Sequence, residues 1–344
     1  MDADSQPLST VTDYPVKARP IIQFTWLTGD WFEVFQKQVA LIQSDIARAQ
    51  AEDRIIVYLS CPISSRGGGH FLTNTEIASF VTRRLLDKWG ERFFILNPAA
   101  YQLESREGTG LITRHIAELS RQTGRSITLE QLLRTARPGG GDYMRMWTRV
   151  LVEDDYLNDA PGRSRCGSHL GGLFDAFYFV GSSDMHEFFF DSGRGSITST
   201  VESYFARKYA IDPAFRADFE MTTEDTQRRL LDLTNDTDTA VWESRRKAFF
   251  RYYAVRAGAS YSLGSHDEWN IFVRLNQARA GHPQYGPGEQ ITGFFDGRQL
   301  TLADSEQQTS PGYEETGAQL PGPANSTNVS KPSVSSCGEA GHSR

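Results

Sequence analysis

The chain has 344 residues and a formal net charge of −7, with 39% hydrophobic and 12% aromatic residues. That supplies a core for one large domain or two small ones, while the acidic balance argues against binding a nucleic-acid polymer or an anionic membrane, which need a basic face. No apolar run approaches the roughly 18 residues that span a bilayer, and Cys61, Cys166 and Cys337 have no spacing that gives a disulfide framework or a zinc knuckle.

Residues 1–17 are expected to be a disordered lead; they are polar and acidic and carry no apolar h-region of a secretory signal, so a cytoplasmic location is the default. ARPIIQFTW is a candidate edge strand. WFEVFQKQVALIQSDIARAQ places Phe32, Val34, Phe35, Val39, Leu41, Ile42 and Ile46 at amphipathic helical spacing. RIIVYLSCPI is a nearly continuous β-branched run, as in a strand covered on both faces, and a helix follows over about 74–89. RFFILNPAAY is a second buried strand, followed by a polar helical insert to Arg137. A helix then opens at RPGGGDYMRMWTRVLVEDDYL, PGRSRCGSHLGG is a loop, and LFDAFYFVG is a third buried strand. SSDMHEFFFDSGRGS is expected to be a long loop and ITSTVESYFARKYA a helix. This alternation predicts an α/β fold, a doubly wound (Rossmann-like) parallel sheet with right-handed crossovers.

Residues 18–212 form the expected Rossmann-like domain. Residues 213–303 are expected to be a mostly helical extension packed on it, with helices at TTEDTQRRLLDLTND, DTAVWESRRKAFFRYYAVRAG and DEWNIFVRLNQARAG and a late strand or hairpin at ITGFFDGRQLTL. Residues 304–344, rich in Ser, Gly, Pro, Gln and Thr, are expected to be a disordered tail.

Three stretches carry candidate chemistry. VYLSCPISSRGGGHFLTNTE lies where a strand gives way to a helix, the end of a sheet at which open α/β folds bind ligands. Its glycines Gly67, Gly68 and Gly69 admit close backbone approach, and Ser60, Ser64, Ser65 and Arg66 add donors suited to an anion. The spacing is neither that of the dinucleotide fingerprint nor that of the P-loop; the plain reading is a serine-capped turn. In DSGRGSITSTVESYFARKYA, Asp191 and a glycine-hydroxyl loop precede a helix bearing Glu202 near its start, where the helix dipole favours an ionised carboxylate. Such a group is a competent nucleophile toward an anomeric carbon, although most acids at helix starts are only stabilising. The MWTRVLVEDDYL helix carries Glu153, Asp154 and Asp155 together, and three successive acids on a helix read as a solvated face. His266, Asp267 and Glu268 of GSHDEW are residue types for metal or acid–base work, but they lack a two-histidine zinc spacing and are expected to be structural or capping.

Taken together, Tyr58 before a Ser/Gly/Arg turn, Trp147 with Asp155 eight positions later, Asp175 opening a strand, and Gly195 ahead of Glu202 give a pattern that resembles the nucleoside 2-deoxyribosyltransferase and nucleoside 5′-monophosphate N-glycosidase superfamily. The resemblance covers about residues 54–212. It implies Glu202 as nucleophile at C1′, Tyr58 contacting that carboxylate, Asp155 protonating or orienting the base, and Ser64, Ser65 and Arg66 holding a phosphate, with no cofactor and no metal.

The implied function is cleavage of the base–sugar bond of a nucleoside or nucleotide, by hydrolysis or transfer. The alternatives are a glycohydrolase of NAD or another nucleotide conjugate, and an inactive nucleotide-binding or sensing module. Membrane and nucleic-acid-polymer partners are not expected, and a homo-oligomer is compatible with all three. Glu202 within hydrogen-bond reach of Tyr58 would favour the enzyme; Glu202 in bulk solvent would favour the binding module.

Overall fold

The computed structural model describes residues 12–14, 24–26, 30–65, 68–103, 106–135, 138–152, 171–191, 193–222, 229–256, 262–280, 285, 288–310, 312 and 313. It is an α/β structure built on a five-stranded, mostly parallel sheet. A separate antiparallel pair is formed by β1 (Thr12–Tyr14) and β2 (Phe24–Trp26). Then follow α1 (Asp30–Ala51), β3 (Ile55–Ser60), α2 (Phe71–Trp89) and β4 (Phe93–Leu96), with α3 (Arg106–Thr123) and α4 (Leu129–Thr135) in the insert. α5 (Gly140–Val152), β5 (Ala176–Phe179), α6 (Ser182–Asp191), α7 (Ile197–Ile211) and α8 (Pro213–Glu220) come next. The last elements are α9 (Asp236–Arg251), which runs into a π-helical turn (Tyr252–Arg256), α10 (Leu263–Ala280), β6 (Thr292–Phe295), β7 (Arg298–Gln299) and α11 (Leu302–Ser305).

The strand order is β4-β3-β5-β6-β7. Strands β4, β3, β5 and β6 are parallel, and β7 closes the edge as an antiparallel hairpin with β6. Because side chains alternate along a strand, β3 and β5 feed two cores. Ile56, Tyr58, Phe177 and Phe179 face a layer with residues of α1, α5 and α10. Val57, Leu59, Ala176 and Tyr178 face the opposite layer, with residues of α2, α6, α7 and α9. Asp175 anchors the start of the sheet, its carboxylate accepting from the Ile56 amide at 2.7 Å.

The second half of the chain differs from the sequence reading in three places. SSDMHEFFFD is helix α6 rather than a loop, because Met185 and Phe189, one turn apart, are buried under the sheet. Around TTEDTQRRLLDLTND the described residues are not helical. Met221 and Leu230 form an isolated bridge, and Asp238 draws the chain into a turn by pairing with Arg229 and accepting from the Asp232 amide. The region 213–303 is also more than an extension, since α10 fills the core beside Phe177 and Phe179 and β6 is the fourth parallel strand.

The tail expected from 304 starts too early. The Asp267 carboxylate accepts from the amides of Gly312 and Tyr313 at 2.9 and 2.7 Å. Trp269 Nε1 donates to Gln307 O, and the Thr309 amide to Asn270. Backbone polar groups satisfied by one helix face hold this polar stretch in place despite its composition.

Candidate functional site

The described site is built around Glu268, on the second turn of α10. The first turns of this helix lie at the C-terminal end of the sheet, where Trp269 meets Phe179, the last residue of β5, at 4.7 Å between ring centroids. Glu268 is 5% exposed. Its two carboxyl oxygens accept from Tyr58 Oη at 2.6 Å and from Ser60 Oγ at 2.5 Å. Tyr58 and Ser60 are alternate residues of β3, so the pleat turns both to the α10 face. Trp147 of α5 packs on the Tyr58 ring, 5.6 Å between centroids, and fixes its direction.

Burial pushes the Glu268 carboxyl up to about 8, with the nearby Asp267 charge adding to the rise; the hydroxyls of Ser60 and Tyr58 oppose it without winning. Tyr58 is held well above the usual phenol range by burial and by the neighbouring Glu268. Burial and Glu268 likewise push the Cys61 thiol up, which keeps it protonated and poorly reactive. A carboxyl whose pKa lies near neutrality, with hydroxyl donors on both oxygens, can change protonation state during a reaction.

Glu268 lines a cavity of about 610 Å³, within the usual range of small-molecule sites, about 300–1,000 Å³. Ser64, Ser65 and Cys61 of the β3–α2 loop line one wall, Tyr143 and Trp147 of α5 another, and Tyr313 a third. Asp218 of α8 also reaches it, and no Lys or Arg lines it among the described residues.

The predicted site residues separate into distinct groups. Ser64 and Ser65 line this cavity, and Tyr58 and Ser60, buried behind it, connect to it through Glu268. Arg66, Gly67 and Asp155 lie outside the described residues. Gly68 and Gly69 have their bare backbone occupied by the protein itself. A Cβ on Gly68, whose φ is +103°, would meet Ala248 O of α9 at 2.6 Å, and one on Gly69 would meet Ser64 O at 3.0 Å. The loop is further pinned by Asn74 Nδ2, which donates to Ile63 O and Ser64 O. Asn74 is itself fixed by Tyr253 Oη, which donates to Asn74 Oδ1 and accepts from the His70 amide. These two glycines therefore permit close packing of α9 on the loop rather than ligand approach. Asp191 is exposed at the end of α6.

Glu202 does not take the position the resemblance implies. Its side chain is 55% exposed and faces Arg246 of α9 at 3.9 Å. α7 packs on the Val57/Leu59 side of the sheet, whereas the Tyr58 side chain points to the other side. The carboxyl at Tyr58 belongs to Glu268, which was expected to be structural or capping; that expectation does fit its neighbour Asp267, which holds the 312–313 backbone. A signal for Glu268 exists in the sequence. With Ile271, Phe272 and Leu275 it completes an i, i+3, i+4, i+7 stripe, so it is an acid on a core-facing stripe.

Fold and site together define an α/β protein with a buried, hydroxyl-bonded carboxyl beside a cavity at the strand ends. In comparisons with known proteins, no family model, no curated protein and no solved structure matched the chain. Among the described residues there is no group of His, Cys, Asp and Glu side chains that could hold a metal, and no helix is long and apolar enough to cross a membrane.

Proposed function

We propose that the protein cleaves the N-glycosidic bond of a nucleoside or nucleotide, with Glu268 as the catalytic carboxyl in place of Glu202. The observation that carries this reading is the Tyr58–Glu268–Ser60 cluster at the cavity. The strand order supports a doubly wound reading. The β3 connection leads to β4 on one side and β5 leads on to β6 on the other, so the ends of β3 and β5 mark the point where ligands of such folds bind.

In this mechanism the ionised Glu268 attacks C1′. A C1′–O bond forms as the C1′–N bond breaks, and the departing base takes the bonding pair and a proton from an acid. Asp155 remains the proposed donor for that proton. Water, or a second base, then releases the sugar from the ester. Tyr58 and Ser60 orient the carboxyl and support its negative charge, while burial limits the share of the enzyme that carries the attacking carboxylate below about pH 8.

The binding-module reading has one observation in its favour: Glu202 faces solvent. Incubation with a panel of nucleosides, nucleotides and NAD, followed by detection of free base, separates the two. Base release that falls by about a thousandfold or more in Glu268→Gln and stays near wild type in Glu202→Gln supports the enzyme, since an amide cannot form the ester. Equal release by wild type and Glu268→Gln overturns the assignment. Nucleotide binding without base release from any candidate supports the module.

A further inference from the structure

A second cavity of about 390 Å³ lies against the first, walled by the aromatic rings of Phe179, Trp269 and Phe295. Ser265 lines both cavities. It stands one turn before Glu268 on α10, a spacing at which helical side chains are neighbours, and four residues before Trp269. The helix thus turns Glu268 toward the larger cavity and Trp269 toward the smaller, with Ser265 between them.

Ser265 is only 3% exposed, and its Oγ has no hydrogen-bond partner among the described residues. An unsatisfied buried hydroxyl is unfavourable, and with the Ser265 Oγ set in the wall between two cavities a ligand group reaching that wall would satisfy it. Trp269 is held in place by its Nε1 hydrogen bond to Gln307 O at 2.7 Å. Its ring packs obliquely on Phe179 and edge-on to Phe295, 6.2 Å between centroids. Aromatic walls with a few polar groups suit a flat ring that is apolar on its faces and polar on its edge.

We propose that this aromatic chamber is the subsite for the leaving base, a planar nitrogen heterocycle that lies against Trp269 and Phe295 and pairs its edge with Ser265 Oγ. The inference rests on the glycosidase reading: the sugar occupies the larger cavity and the C1′–N bond passes Ser265, within a helical turn of Glu268. Base stacking on an aromatic side chain is tolerant of base identity, so discrimination falls to the polar residues of the chamber wall, Ser265, His266, Asp304, Gln307, Gln308 and Thr309.

The test is calorimetric titration of the full chain with adenine, hypoxanthine, cytosine and uracil, and separately with ribose 5-phosphate, beside the base-release assay. At least one free base is expected to bind one to one. Ser265→Ala should weaken it about three- to tenfold, the equivalent of one hydrogen bond, and weaken ribose 5-phosphate, which brings no base edge to the hydroxyl, by less. Trp269→Leu should weaken the base more than tenfold. Thermal melts establish folding, and Ser265→Ala breaks no side-chain hydrogen bond, so it keeps the test open if Trp269→Leu fails to fold. The inference is overturned if no base binds folded wild type, or if base affinity is unchanged in Ser265→Ala. Base release that depends on Glu268 but not on Ser265 or Trp269 removes the chamber and leaves the glycosidase reading standing. Base binding sensitive to both residues, without base release from any nucleoside, removes the glycosidase reading and leaves a base-binding chamber.

Discussion

Tyr58 and Glu268, 210 positions apart in the chain, share a 2.6 Å hydrogen bond inside the core. Because the Tyr58 hydroxyl favours the ionised carboxylate, Tyr58→Phe should raise the Glu268 pKa further. If Glu268 is the nucleophile, kcat/KM should rise with pH through an inflection near the free-enzyme value of about 8, and Tyr58→Phe should move that inflection upward. A pH profile measured on both proteins checks this. A limb that falls with pH near 8 would instead make Glu268 a general acid.

Stability should carry the same signature without any substrate. Glu268 has a folded-state pKa of about 8 against an ordinary value of 4.5. Between those values the folded chain holds a proton that the unfolded chain has released, so stability falls as pH rises. The contribution is fully present below about pH 4.5 and lost by about pH 8, of the order of 5 kcal/mol in all. Glu268→Gln, which is neutral throughout, should lose none of it. Urea denaturation of both proteins at pH 5 and pH 8 should therefore show the variant gaining on wild type as pH rises; a constant gap would mean that burial does not keep Glu268 protonated.

Much of the fold was legible because it rests on local pattern. The runs IIVYLS and AFYF, apolar on both faces, became the two central strands β3 and β5, and the turn residues of FFDGRQ became the β6–β7 hairpin, with Asp296 and Gly297 at positive φ. The site was half legible. Tyr58, Ser60, Ser64 and Ser65 follow from the strand–turn motif. The carboxyl did not, because the choice between Glu202 and Glu268 depends on which face of the sheet each helix covers. Helical phase could have narrowed it. Glu202 lies just off the buried positions Val201, Tyr204 and Phe205 of its helix, while Glu268 lies in line with Ile271, Phe272 and Leu275. The segment 307–313 was missed for another reason: its backbone is held by Asp267, Trp269 and Asn270, and such pairing has no periodicity to detect.

Phosphate recognition can be separated from chemistry. No cation lines the cavity among the described residues, so the sequence leaves Arg66, outside them, as the proposed anchor. Arg66→Ala should weaken nucleoside monophosphate binding by about 1.5–3 kcal/mol, the range for one hydrogen bond to a charged group, and leave the unphosphorylated nucleoside unaffected. Equal losses for both ligands in titration calorimetry would remove Arg66 from phosphate recognition.

The 307–313 segment supplies a wall of the main cavity through Tyr313, and its two attachments can be broken separately. Asp267 holds the backbone, accepting from the Gly312 and Tyr313 amides. Asp267→Asn substitutes a neutral acceptor for a charged one, and charge-assisted hydrogen bonds are about twice as strong as neutral ones. Hydrogen exchange at these two amides should accelerate by about ten- to a hundredfold, equivalent to roughly 1.4–2.8 kcal/mol. Gly140→Ala acts on the side chain instead. A Cβ at Gly140 would overlap the Tyr313 ring without touching the Asp267 bonds to the backbone, so the amides should stay protected while the cavity wall moves. Nucleoside affinity should then change in Gly140→Ala with Gly312 and Tyr313 exchange near wild type. Fast exchange in Gly140→Ala would show that the ring, rather than Asp267, holds the segment down.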